Sequence, residues 1–258
     1  MNLSQWLVLY DQDQRIDVRY PDICREETPW VVRHVALSGS QNGMVIYSRL
    51  NEDTADEAIR VEIEYFQRIG QNFEWKVYSH DQPADLKNRL ESLGFEVGEE
   101  EAIMALDLAE APEVLLLPVS HDIHRILDAV GLQDVLSIER EVWQEDQSTL
   151  GEYLADALRE SPDLISIYAA FINGMPASAA WVYFSKGSQF ASLWGGSTIA
   201  KFRGQGLYTA LLAVRTQEAL SRGLKYLTVD ASPMSRPILE KYGFIRITES
   251  YPCMWRKK

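Results

Sequence analysis

Two stretches of the chain follow one pattern: residues 75–95, WKVYSHDQPADLKNRLESLGF, and residues 225–244, KYLTVDASPMSRPILEKYGF. Each reads as strand, polar turn, proline, short helix, Gly-Phe and a further strand. The interval from Pro83 to Gly94 exceeds that from Pro233 to Gly243 by one residue, which a loop absorbs. A duplicated unit of this kind restricts the fold to two copies of one mixed architecture, α/β in the broad sense (α+β). The competing reading, that any strand-turn-helix-strand segment looks like this, rests on how few letters the two stretches share. Length agrees with two copies, since 258 residues exceed the usual size of about 150 for one domain.

Around the repeat, 31–37 and 44–50 are strand-like runs separated by the turn residues Ser38, Gly39, Asn42 and Gly43, which predicts a hairpin. Residues 53–69 carry Ala55, Ile59, Ile63 and Phe66 at helical spacing, with Gly70 as the stop. A strand over 73–78 follows. Pro83 then opens a helix through Leu86, Leu90 and Leu93 to Gly94. Four glutamates within 96–101 and a patternless run to Pro112 place the boundary between domains 1–108 and 113–258. Beyond it the pattern predicts a strand at 114–117, helices from Ile123 to Leu158, and strands at 165–171, 177–184 and 190–193. Gly195-Gly196 interrupts the last of these as a bulge or splay point does. A helix over 207–221 stopped by Gly223, a strand at 226–229, a short helix to Tyr242 and a final pair of strands complete the expectation.

Composition removes several classes of function. With 25 basic and 38 acidic residues the net charge is −13, and such a surface repels the phosphates of nucleic acid. No apolar run approaches the roughly 20 residues of a membrane span. The opening MNLSQWLVLYDQDQR lacks the basic head and long apolar middle of a secretion signal, so the expected location is cytoplasmic. Cys24 and Cys253 are too far apart in sequence for a zinc ribbon and are expected to stay reduced. His121 and His124, expected on a helix, lack the accompanying acidic pattern, so no metal is assigned. His80-Asp81 reads as a surface turn rather than a catalytic dyad.

Chemistry concentrates in residues 199–225, where Lys201, Arg203, Arg215, Arg222 and Lys225 face a single acid, Glu218. At its centre Arg203-Gly204-Gln205-Gly206 lies between a strand and a helix. Glycines let backbone N–H groups turn toward a ligand, and the following helix aims its unpaired donors and positive dipole end at the same spot. The competing reading is a glycine-rich turn that merely caps a helix. The Walker ending Gly-Lys-Ser/Thr is missing, as are the third glycine and downstream acid of a dinucleotide fingerprint.

Arg203, Gly204 and Gly206 resemble the acyl-CoA-binding motif Arg/Gln-x-x-Gly-x-Gly/Ala of the GNAT acetyltransferase superfamily, with Tyr208 where a small residue is usual. The resemblance covers roughly 114–258. It implies the GNAT acyl-CoA N-acyltransferase fold, in two tandem units with mixed, mostly antiparallel sheets, and acetyl-CoA as cofactor. By the same resemblance the pantetheine arm runs along Ser197, Thr198 and Ile199. The pyrophosphate rests on N–H groups of Gly204, Gln205, Gly206, Leu207 and Tyr208, with Arg203 adding charge-assisted bonds. The family's Asn and Tyr positions fall on Ser232 and Leu239; Ser232 keeps a hydroxyl for the pantetheine, whereas Leu239 has no proton to donate. Tyr242 is the alternative general acid, with Tyr208 and water as rivals. Asp230 is the candidate for binding the ammonium or accepting its proton, against a capping or turn role. Backbone N–H groups of the splayed strand polarise the acyl carbonyl.

In the first half, residues 51–57 have no glycine and four acids, so that copy is expected to have lost cofactor binding and to form one wall of the acceptor cleft. The aromatic residues Trp181, Tyr183, Phe190 and Trp194 line a pocket or fill a strand core. The resemblance thus implies an N-acetyltransferase in which a primary amine of a small-molecule or peptide acceptor attacks the thioester directly. Two alternatives stand beside it. One is a catalytically silent acyl-CoA-binding or sensing protein. The other, an aminoacyltransferase like the two-domain Fem family, binds transfer RNA, which the acidic balance opposes.

Overall fold

The computed structural model describes residues 1–20, 23–37 and 42–257. From the amino end the elements are α1 (Leu3–Tyr10), a π-helical turn (Asp11–Ile16), β1 (Ile23–Glu27), β2 (Val31–Ala36), β3 (Gly43–Ser48), α2 (Ala55–Ile69), β4 (Phe73–Tyr78), α3 (Leu86–Ser92), β5 (Glu96–Val97) and β6 (Glu101–Asp107). They continue as α4 (Glu113–Leu116), β7 (Asp122–Ile126), α5 (Ala129–Trp143), α6 (Ser148–Glu160), β8 (Ile165–Ile172), β9 (Met175–Tyr183) and β10 (Phe190–Thr198). The last are α7 (Leu207–Ser221), β11 (Tyr226–Ala231), α8 (Arg236–Lys241) and β12 (Ile245–Trp255). Contacts divide the chain into two compact units, the first formed by 1–104, 231–237 and 246–258, the second by 105–230 and 238–245.

In the first unit β1, β2 and β3 run antiparallel, β3 pairs in parallel with β4 across α2, and β4 pairs antiparallel with β12. Helix α2 forms because Ala55, Ala58, Ile59, Glu62 and Phe66 fall on one buried stripe, and Gly70 ends it at φ 75°. Phe66 stacks on Phe73 at 4.2 Å between ring centroids, Phe95 meets Phe73 edge-on, and Trp75, Leu86 and Leu90 complete the fully buried centre. In the second unit β7, β8, β9 and β10 run antiparallel, and β10 pairs in parallel with β11 across α7. Its core joins Leu132, Val135 and Ile138 of α5 with Ile167, Ala169, Ala179 and Trp181 of the sheet and Leu211 of α7.

The duplication is visible in topology. The order β2-β3-α2-β4 in one unit repeats as β9-β10-α7-β11 in the other, and each parallel pair is only three residues long, Gly43–Val45 on Phe73–Trp75 and Phe190–Ser192 on Tyr226–Thr228. Even the bulge repeats. Ile46 is the extra residue of β3, between Val45 opposite Arg33 and Tyr47 opposite Val32, as Gly196 is of β10. The Gly195-Gly196 bulge agrees with the glycine pair, both residues having positive φ.

Several expectations are corrected. The segment read as the domain boundary holds β6, whose residues Ala102 to Leu106 are all buried, and the division between the units falls inside that strand. The boundaries 1–108 and 113–258 also fail to place β12, which belongs to the first unit and is one long strand rather than a pair. Residues 113–116 form the helical turn α4, not a strand, because Gln217 of α7 donates to the Leu115 and Leu117 carbonyls. Residues 122–126 are strand β7, so His124 is not helical. Ser38 and Gly39 lie outside the described residues. No helix among those described is long and apolar enough to cross a membrane, and no group of three or more His, Cys, Asp or Glu among them suits a metal ion. Cys253 is buried, which pushes its thiol up to about 12, and Cys24 is exposed; both are free.

His34, in β2, is 3% exposed and its Nε2 has no hydrogen-bond partner among the described residues; burial and the nearby Arg25 hold its pKa down at about 4. The folded protein therefore binds this proton less readily than the unfolded chain, and stability is lost as pH falls from the ordinary value of 6.5 toward 4. The expected loss is about 3 kcal/mol, at 1.36 kcal/mol per unit. Urea unfolding of wild type and His34→Leu at pH 7 and pH 4.5 checks it: the fall between the two pH values shrinks in the variant.

Candidate active site

Helix α7 begins at Gly206, which has φ 78° and supplies no side-chain cap. The backbone N–H groups of Gly204, Gln205, Gly206, Leu207 and Tyr208 have no acceptor among the described residues. Gly204, at φ 76°, turns the chain so that these donors follow one another into the first turn of the helix. A row of unpaired donors at the positive end of a 15-residue helix is an anion site by elementary electrostatics. Arg203 lies beside it. Its Nε donates to the Thr198 carbonyl at 3.0 Å, which fixes the guanidinium and leaves its Nη nitrogens without a partner among the described residues.

The corresponding helix of the first unit is closed to an anion by its own side chains. Asn51 Oδ1 accepts the N–H groups of Asp53 and Thr54 at 3.0 Å, and Asp56 and Glu57 add negative charge to the first turn. The gap where β3 and β4 part is filled as well. Arg15, from the π-helical turn, is wholly buried there and donates from Nε to the carbonyl of the bulged Ile46 at 2.9 Å. Its Nη2 forks onto Asp81 at 2.9 and 2.8 Å, and Asp81 also accepts the Tyr78 N–H. The guanidinium lies 3.8 Å from the Tyr78 ring and 4.9 Å from that of Tyr47. Burial pulls the Arg15 pKa down, but Asp81, Tyr78 and Asp11 outweigh it and hold the cation protonated. His80, about a quarter exposed, donates to Asp11 in the same cluster and Asp81 is buried, so the His80-Asp81 turn is tied into this cluster rather than lying free at the surface.

The second unit gives several predicted residues definite surroundings. In β10 the Ser197 hydroxyl donates to Glu139 of α5 at 2.9 Å, and its carbonyl accepts from Ser178. Thr198 shares a hydroxyl contact with Ser178 at 2.8 Å, and the Ile199 N–H donates to Ala177. The Ser197 side chain is therefore committed to protein. The ring of Tyr208 lies over Gly196, where an added Cβ would stand 3.0 Å from it, so the large residue at the motif's small position is admitted by a glycine in β10. Burial pushes the Tyr208 phenol up. Tyr242 and Thr209, of the first turn of α7, share a hydroxyl hydrogen bond at 2.7 Å. Leu239 is fully buried. Asp230 stands in β11 two residues past Thr228, the last residue of that strand to pair with β10. Ser232 belongs to the first unit, and its hydroxyl accepts the Ser235 N–H in the turn before α8.

The positive charge counted along 199–225 is mostly spent elsewhere. Arg222 pairs with Glu218 at 2.8 Å and lies over Phe184, while Lys225 donates to Gln189. Arg215 is 2% exposed, has no carboxylate partner among the described residues and donates to the carbonyls of Leu211, Trp181 and Trp194, so it braces β10 immediately before the bulge. Burial brings it down to about 10. Of the aromatic residues, Trp181 and Phe190 are core, while Trp194 is half exposed and meets Tyr183 edge-on. Sequence reasoning missed His121, which donates from Nε2 to the Gln205 carbonyl at 3.0 Å and so steadies the glycine turn. It also missed Glu139, although the helical spacing from Leu132 and Val135 places that carboxylate on the apolar stripe of α5.

No protein-family model matches the chain, and no curated protein matches its sequence. Solved structures do match its fold. A GCN5-related N-acetyltransferase from Kribbella flavida is 14% identical with a TM-score of 0.66, over 99% of this chain and 95% of that one. One from Sphaerobacter thermophilus is 14% identical with a TM-score of 0.60, over 87% and 76%. A tandem GNAT protein from the clavulanic acid biosynthesis pathway, solved without acetyl-CoA, is 14% identical with a TM-score of 0.61, over 98% and 94%. The chain has the fold of the GNAT N-acetyltransferases, matched along nearly its whole length by a tandem one.

Proposed function

We propose that the second unit binds acetyl-CoA and transfers its acetyl group to a primary amine, and that the first unit is a copy that no longer binds the cofactor. The observation that carries this reading is the run of unpartnered N–H donors from Gly204 to Tyr208, ahead of α7 and beside a strand that parts from its neighbour after Ser192. The site fits a diphosphate: both glycines hold positive φ, and a Cβ on Gly206 would already stand 3.4 Å from His121. In this reading Gly204, Gln205, Gly206, Leu207 and Tyr208 bind the pyrophosphate through their backbone, and Arg203 adds charge. Ser197, Thr198 and Ile199 offer a strand backbone to the pantetheine arm in the manner of an added strand. Acetyl-CoA supplies an activated acyl group whose thiol departs readily. Asp230, past the parting of β10 and β11, is assigned to the acceptor side. Asn51 and Arg15 explain the silence of the first unit, since they consume the donors and fill the gap that an equivalent cofactor needs.

Leu239 favours a second reading, a silent acyl-CoA-binding protein. Calorimetric titration with acetyl-CoA tests the common core, saturable heat being expected and its absence ending both readings. Amine-dependent thiol release then separates them, since turnover with any primary amine excludes the silent form.

A further inference from the structure

Helix α5 brings to β10 a carboxylate that no cation among the described residues neutralises. Glu139 is 3% exposed, and its Oε2 accepts two hydrogen bonds of 2.9 Å, from Trp143 Nε1 and from Ser197 Oγ. Its other oxygen, Oε1, is buried and has no hydrogen-bond partner among the described residues, and no cation pairs with either. Burial pushes this carboxyl up, and the bonds from Ser197 and Trp143 pull it back only in part. No charged group reaches it from the elements packed on α5. Those of α6, Glu152, Asp156, Arg159 and Glu160, are exposed. The titratable groups of β8 and β9 are Tyr168, whose hydroxyl donates to Glu218, and Tyr183; β10 has none. Asp134, Arg140 and Glu141 of α5 itself make no hydrogen bond or ion pair with it among the described residues.

A buried carboxylate without a cation costs stability that a well-packed apolar residue would not. The cost becomes intelligible if a cation arrives. Ser197 is the residue immediately after the Gly195-Gly196 bulge, on the stretch assigned to the cofactor arm, and Trp143, which is 61% exposed, is the one partner of Glu139 open to solvent. Trp143 Nε1 also donates to Ser197 Oγ at 3.1 Å, so indole, hydroxyl and carboxylate form one cluster. Rotation of that indole breaks one side chain's hydrogen bonds and leaves the carboxylate with the Ser197 hydroxyl alone.

We propose that Glu139 is the acceptor-binding and proton-accepting group of the second unit, its free Oε1 taking the ammonium of a primary amine. This rests on the acetyl-transfer reading and names the group that selects the acceptor. In the step, one N–H bond of the ammonium breaks, its electron pair stays on nitrogen as the lone pair, and an O–H bond forms on Oε1, so the carboxylate becomes a neutral carboxyl. The proton returns to water when the product leaves. An ordinary Glu and an alkylammonium differ by about 6 pKa units, and burial narrows that gap in the direction the transfer needs.

The test follows the indole N–H resonance of Trp143, assigned by its loss in Trp143→Phe, in nitrogen-15 spectra from pH 4 to 9. In wild type it is expected to titrate with a midpoint above the usual carboxylate range, and in Glu139→Gln to stay flat. Methylamine, benzylamine and spermidine are then added in turn. At least one is expected to shift the resonance saturably, with tenfold or weaker binding in Glu139→Gln. A flat wild-type resonance, no response to any of the three amines, or a response that Glu139→Gln retains overturns the inference. If wild type fails to bind acetyl-CoA, the acetyl-transfer reading falls while these spectra still judge Glu139. If it turns over, Glu139→Gln is expected to lose about a hundredfold in kcat/KM for the amine with unchanged acetyl-CoA affinity, and an unchanged kcat/KM overturns the assignment.

Discussion

Gly206→Asp is expected to weaken acetyl-CoA binding by at least about a hundredfold, roughly 3 kcal/mol. Three effects act in one direction. At φ 78° a Cβ strains the backbone by about 1–2 kcal/mol. The new side chain crowds His121, which the added Cβ would approach at 3.4 Å, and so loosens the hydrogen bond that holds the Gln205 carbonyl. The carboxylate also stands where the N–H donors face their anion and repels a diphosphate directly. Gly206→Asn separates these causes, because Asn has the same size, tolerates the left-handed region and carries no charge. It is expected to lose only about tenfold, about 1.4 kcal/mol. Calorimetry on both variants, with thermal unfolding to show that each is folded, measures the difference. Equal affinities for Asp and wild type would mean that the cofactor does not use this turn.

Arg15→Met is expected to destabilise the first unit by about 3–5 kcal/mol, the penalty for leaving a buried charge without its partner. Asp81 is 7% exposed, and the arginine fork and the Tyr78 N–H are what hold it. Asp11 loses its bond from Arg15 at the same time. The Tyr78 and Tyr47 rings, which now lie 3.8 and 4.9 Å from a cation, would face a thioether. Asp81→Asn alone is also expected to cost several kcal/mol. The double variant should cost clearly less than the two single losses added, because it removes both charges and leaves no orphan. Guanidinium unfolding of the four proteins gives the coupling energy. Additive losses would show that Arg15 and Asp81 act separately.

Legibility of the sequence depended on whether a feature carried its own local signal. Helix α7 is bounded as expected because Gly206 and Gly223 mark both ends, and β4 because an apolar alternation sits between turns. Strand β6 escaped because Ala102 to Leu106 are all buried, so no alternation distinguishes it from a featureless apolar run. Strand β7, with Asp122, His124 and Arg125 exposed, looks no more like a strand than like the polar face of a helix. The glycine bulge in β10 was readable from Gly195-Gly196, whereas its twin at Ile46 was not, since that residue gives no hint of irregularity. The cradle itself is local and was legible. Its supports are not: His121 lies 84 residues from Gln205 and Ser197 lies 58 from Glu139. Arg15 sits in a polar run, DQDQRID, and nothing short of the tertiary structure brings it to the rings of Tyr47 and Tyr78.

Strand β12 belongs to the first unit, where Ser250 through Trp255 pair with Tyr78 through Phe73. While the ribosome works, β4 must therefore wait with one edge bare until synthesis reaches residue 255, by which time every residue from 105 to 230 already exists. Vectorial maturation from amino to carboxyl end is thus reversed here: the later-born half has its partners at hand before the earlier one does. An mRNA truncated ahead of residue 250 would release a nascent product with an unsatisfied strand edge, a template for aggregation.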